Sequence, residues 1–127
     1  TLTLLEAAPG RVVPFFRPYR KSTDKGGWYK KPELIAYSEE RLGREIHVGL
    51  GEIHIMRPEH IDTPVVRRHL AMATDRGLVI QLHSDVAALE RLLKTAPRAR
   101  VIWAHAGYDA SPAAIAAIEA ALAEKLA

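Results

Sequence analysis

The chain has 127 residues, of which 48% are hydrophobic and 26% charged, and its formal net charge is +3. These values fit one domain of ordinary globular composition and exclude disorder, collagen-like repeats and a fibrous chain. Cysteine is absent, which excludes disulfides and thiolate metal sites.

No apolar run approaches the roughly 18 residues of a membrane helix, so no membrane partner is expected. The start, Thr1-Leu2-Thr3-Leu4-Leu5-Glu6, lacks the basic and apolar regions of a signal peptide, and a cytoplasmic location follows as the expectation. The first residue is not Met, which allows for processing or truncation upstream. Basic residues cluster only at Arg17 to Lys31 and at Arg67-Arg68. A nucleic-acid-binding face is denser, so no nucleic-acid partner is expected either.

Residues 1–8 read as the tail of a helix. Val12-Val13-Pro14-Phe15-Phe16 follows the turn signal Pro9-Gly10 and predicts a first strand, with Pro14 placing it at an edge. Arg17 to Lys31 is a long polar loop holding Gly26-Gly27, Trp28 and Tyr29, and loops of this length often carry function. Pro32 to Leu42 predicts a helix stopped by Gly43. His47 to Met56 is a second strand region. Thr63-Pro64 pairs an N-cap with Pro at the first helical position, and the helix it opens stops at Gly77.

Leu78 to His83 is a third strand, apolar on both faces except at Gln81, as for a buried parallel strand. Ser84 or Asp85 caps the next helix, which carries Leu89, Leu92 and Leu93 and ends at Pro97. Val101 to His105 is a fourth strand. Ser111-Pro112 opens a last helix to about Leu126, with Ile115, Ile118 and Leu122 on one stripe. The order β-α-β-α-β-α-β-α predicts an α/β domain with four parallel β-strands alternating with helices.

In such folds, ligands gather at the C-terminal ends of the strands. The second strand brings Glu52 and, two residues on, His54 to one face. The third ends at His83 and the fourth at His105. Carboxylate oxygens and neutral imidazoles at one rim are ligands for a divalent ion, zinc foremost, manganese or iron otherwise. Arg17 and Arg20, behind the first strand, suit an anionic group of a small-molecule substrate. Trp28 and Tyr29 are placed to cover the site. His47, His60 and His69 read as surface residues, and Asp85 and Asp109 as capping or turn residues.

Three segments carry a family resemblance: Gly51-Glu52-Ile53-His54, Gln81-Leu82-His83-Ser84-Asp85 and Val101-Ile102-Trp103-Ala104-His105-Ala106-Gly107. Together with Pro14 to Arg20 and Thr63 to Arg68, they resemble the central portion of an amidohydrolase-superfamily protein, in its amidohydrolase-related branch. The resemblance implies a partial (β/α)8 TIM barrel, with these strands as the barrel's third to sixth. It implies that Glu52, His83 and His105 ligate metal, with His83 and His105 at the catalytic centre. Apart from the resemblance, the residues expected to bind substrate are Arg17, Arg20, His54 and Trp28. The implied reaction is attack of metal-activated water on an amide, ester, lactone or related carboxylated substrate. The family's first-strand His-x-His and eighth-strand Asp are not in this chain.

A full barrel needs about 250 residues. Four strands leave two open edges and an uncovered inner face. The alternative is therefore a non-catalytic half-barrel module that self-assembles as a homo-oligomer or pairs with the remainder of a barrel.

Overall fold

The computed structural model describes residues 2–106 and 110–126. It holds four strands, β1 (Phe15–Phe16), β2 (Gly49–His54), β3 (Val79–His83) and β4 (Arg100–Trp103). Among the described residues five α-helices, with short 3-10 turns between, accompany them: α1 (Leu2–Ala7), α2 (Glu33–Leu42), α3 (Pro64–Asp75), α4 (Val86–Thr95) and α5 (Pro112–Leu126). The strands form one sheet in the order β1-β2-β3-β4, and every neighbouring pair is parallel. Sequential order with right-handed crossovers puts α2, α3 and α4 on one face of the sheet.

Local chemistry sets the helix ends. Thr63 Oγ1 accepts from the Val66 N–H at 3.3 Å, and Pro64 takes the first position of α3. Asp85 caps α4 by accepting from the Ala88 N–H at 2.8 Å, and Ser111 caps α5 through the Ala114 N–H at 3.2 Å. Gly77, at φ +64°, turns the chain out of α3, while the Leu78 N–H returns to the Ala73 carbonyl at 2.8 Å. That left-handed turn is the helix stop that the glycine signalled.

The core lies between the sheet and its helices. Phe16, Leu50, Ile53, Ile80 and Leu82 project from the strands to meet Leu34, Val66, Leu70, Ala73, Leu89 and Leu92. The expectation of a third strand buried on both faces is corrected. β3 alternates, with Ile80 and Leu82 buried and Val79, Gln81 and His83 half-buried on the opposite face. On that second face Ile102 of β4 stays 50% exposed and Val48, just before β2, 46%.

β1 is shorter than the expected Val12–Phe16. Pro14 has no N–H for a ladder; its carbonyl instead accepts from the Val48 N–H at 2.9 Å. β4 stops at Trp103, two residues before His105. His69, read as a surface residue, is fully buried in α3. Its interior position is tolerated because both ring nitrogens are bonded. Nδ1 donates to the Val65 carbonyl at 2.7 Å, which leaves Nε2 to accept from Ser38 Oγ at 2.8 Å. His60 is half-buried and stacks on Tyr29, and His47 is half-buried with its ring edge on Phe16. Among the described residues, no helix is long and apolar enough to cross a membrane.

Candidate metal centre

β2, the end of β3 and the turn after β4 bring Glu52, His83 and His105 to one rim, and one donor atom of each lies within 4.8 Å of the others. The register between β2 and β3 slips between Gly51 and Ile53, so Glu52 is the extra residue of a bulge. A bulge re-aims the side chain it carries. Here it lets Glu52 and His54 flank Ile53 on the uncovered face while Ile53 stays in the core. Gly51, at φ +139°, enters the bulge through backbone that a side chain would strain, and a Cβ there would press on the Gln81 backbone of β3.

One oxygen, Glu52 Oε1, is the focus of the cluster. His83 Nδ1 donates to it at 2.9 Å and His105 Nε2 at 3.3 Å. His54 Nε2 stands 3.7 Å away. Burial works to raise the Glu52 carboxyl, but the bonds from His83 and His105 and the neighbouring His54 outweigh it, and the group sits below its ordinary value. Burial, reinforced by the charge of Lys25 and by His83, pushes the His54 imidazole down to about 4. His54 is therefore neutral near pH 7.

His105 reaches the cluster differently from His83. It sits past the end of β4, in a short turn, at φ +63°. The expectation of a strand-borne His105 is corrected to a turn-borne one. Gly107 of the strand-end motif and Asp109 lie outside the described residues.

His54 is paired with His83 across β2 and β3, and the two rings stack at 4.5 Å with planes 24° apart. Two stacked imidazoles do not point their in-plane lone pairs at one ion. His54 therefore stands beside the Glu52–His83–His105 set and is not part of it. Its backbone is held by the loop between β1 and α2. The His54 N–H donates to Tyr19 Oη at 3.0 Å, and its carbonyl accepts from Trp28 Nε1 at 2.8 Å. These two side chains satisfy backbone groups that the short β1 does not reach.

Trp28 is fully buried, with its ring edge-on to His69 at 5.2 Å. The expectation that it binds substrate or covers the site is corrected: it has no surface to offer, and it holds the β2 end from below. Arg20 is likewise committed within the loop. Its side chain bonds Asp24 Oδ2 at 3.2 Å, Asp24 Oδ1 at 3.3 Å and Glu33 Oε1 at 3.3 Å. Asp24 is fully buried and also accepts from Lys31 Nζ at 2.6 Å. Hydrogen bonds from Arg20 and Lys31 hold its carboxyl well below the usual carboxylate range. Arg17 is exposed, its guanidinium 5.9 Å from the centre of the Tyr19 ring.

The sequence does not announce Tyr19 or Trp28 as supports of His54, because loop side chains bonding a distant backbone leave no periodic signal. Asp85 is the helix cap that its position suggested.

A tetrahedral zinc site with bonds of 2.0–2.1 Å spaces its donors about 3.3 Å apart. Glu52 Oε1 lies 2.9 and 3.3 Å from the two imidazole nitrogens, near that spacing for two of the three donor pairs, and all three donors lie within 4.8 Å of one another. One carboxylate and two imidazoles form a donor set suited to zinc, manganese or iron. No protein-family model, curated protein or solved structure matches the chain at a significant level, so the donor set and its geometry carry the functional reading.

Proposed function

We propose that Glu52, His83 and His105 hold a divalent ion, zinc foremost, in the rim of a partial (β/α)8 barrel of amidohydrolase type. The function is hydrolysis of an amide, ester or lactone. The convergence of three donors from β2, β3 and the turn after β4 carries this reading. When bound, such an ion polarises a carbonyl and acidifies water. Glu52 contributes the negative charge of the set. His83 is oriented through its place at the end of β3, and His105 by its left-handed turn. His54, neutral and stacked on His83, fixes the face of that ring.

The barrel part of the reading is supported by the sequential strand order, by helices on one face and by the uncovered second face. A second reading rests on that same face. Val48 and Ile102 are 46% and 50% exposed, which suits a half-barrel that pairs with a second copy or with the remainder of a barrel.

Isothermal titration with zinc separates the two. Wild type should bind one ion, and His83→Ala/His105→Ala should lose that binding. Equal binding by both proteins, or none by wild type, overturns the metal-site assignment. Light scattering of the same samples reports whether the uncovered face drives assembly.

A further inference from the structure

A cleft of about 780 Å³ opens beside the cluster, with His83 and His105 at one end. That volume is typical of sites for small organic ligands. Its walls are apolar, built from Met56, Val86, Ala87, Trp103, Ala110 and Ala114. Among the described residues that line it there is no lysine or arginine, and Asp85 is the one carboxylate.

Two helices begin at this cleft, and a free helix N-terminus would welcome an anion. Neither is free. Asp85 occupies the start of α4 and Ser111 the start of α5. Of the cations in the β1–α2 loop, Arg20 and Lys31 are bound to Asp24, while Arg17 and Lys25, whose charges reach His54, are not among the residues that line the cleft. In the metal-free chain an entering carboxylate would lose its hydration and meet Asp85, with no lysine or arginine among the described residues of the lining. A neutral carbonyl compound loses far less. Ser84 Oγ, buried in the same wall, has no hydrogen-bond partner among the described residues, and a ligand carbonyl is an acceptor for its hydroxyl.

Resting on the hydrolase reading, we propose that this cleft takes the apolar body of an uncharged acyl compound, an ester or amide, and discriminates against carboxylates. This reverses the anionic substrate that Arg17 and Arg20 suggested in the sequence.

The test uses two probes with one carbon skeleton, 4-phenylbutanamide and 4-phenylbutanoate. Each is titrated at pH 7.5 and fixed ionic strength into the metal-free, isotopically labelled chain, followed by amide and indole NMR shifts. The amide should move Val86, Ala87 and the Trp103 indole, with a Kd at least fivefold below that of the carboxylate. Ala87→Trp, which fills the cleft from an exposed position, should weaken amide binding at least tenfold. A carboxylate that binds as tightly, shifts that lie elsewhere, indifference to Ala87→Trp, or no binding of either probe overturns the proposal. Zinc titration of the same sample reads the cluster separately. Zinc binding without amide preference rejects the cleft proposal alone. Amide preference without zinc binding rejects the hydrolase reading and leaves the cleft chemistry standing.

Discussion

Trp28→Phe tests whether the loop below the rim supports β2 through one hydrogen bond. The indole is fully buried, and its Nε1 donates to the His54 carbonyl at 2.8 Å. Phenylalanine keeps the aromatic contact with His69 but removes about three ring atoms of packing, at about 1–2 kcal/mol. It also strands a buried carbonyl, at about 1–3 kcal/mol. The expected loss is about 2–5 kcal/mol, a large part of the roughly 5–15 kcal/mol that holds a domain together. Urea unfolding followed by far-ultraviolet circular dichroism measures it, with the slope checked for constancy. Tyr19→Phe removes the acceptor of the His54 N–H, 3.0 Å away, and the double variant completes a cycle. Because both side chains hold one residue, their effects should couple by at least about 0.5 kcal/mol. A Trp28→Phe cost under about 1 kcal/mol would mean that the carbonyl finds another partner, and the idea of loop support would fail.

Gly51→Ala should destabilise by at least about 2 kcal/mol in the same assay, since its φ of +139° is strained for alanine and its Cβ would stand 2.8 Å from Gln81 Cβ; wild-type stability would refute the bulge geometry. Asp24→Asn should lower the melting temperature at pH 7. The folded Asp24 carboxyl titrates below its unfolded value, so its contribution is present above about pH 4 and fades as pH falls further, and the variant's acid limb should be shallower. Parallel acid limbs would remove Asp24 from the account. Burial holds His69 below its ordinary value, so the unfolded chain takes up a proton that the folded chain refuses. Stability should therefore fall below about pH 6.5, and His69→Gln should flatten that slope. Zinc at 100 times its Kd should add about 2.7 kcal/mol of stability, seen as a rise in melting temperature that a chelator reverses and Glu52→Gln abolishes. An unmoved melting curve would argue against the site.

The alternation of strands and helices was legible because each turn of direction carries its own chemistry. Thr63-Pro64, Asp85 and Gly77 stand where the structure has two caps and a left-handed stop. The rim residues were legible because strand ends in parallel folds share one edge. His69 was not. Only the fold brings Ser38 of a different helix within 2.8 Å of it, and that bond makes burial tolerable. The fates of Arg20 and Trp28 were hidden for the same reason. A basic or aromatic loop residue reads as available until a buried acid or an unpaired carbonyl claims it. The bulge at Glu52 was also hidden, since a period-two count along β2 skips no residue.

The turn that carries His105 makes that position answerable to two demands at once. His83 sits in a strand, where most side chains fit the backbone, so only chemistry limits what can replace it. His105, at φ +63°, must also accept a left-handed backbone, which asparagine, aspartate and glycine tolerate and β-branched residues do not. In a saturation library, position 105 should therefore tolerate fewer substitutions than position 83 when folding alone is scored. Asparagine there should preserve the fold while shortening the reach to Glu52, and so separate the two demands.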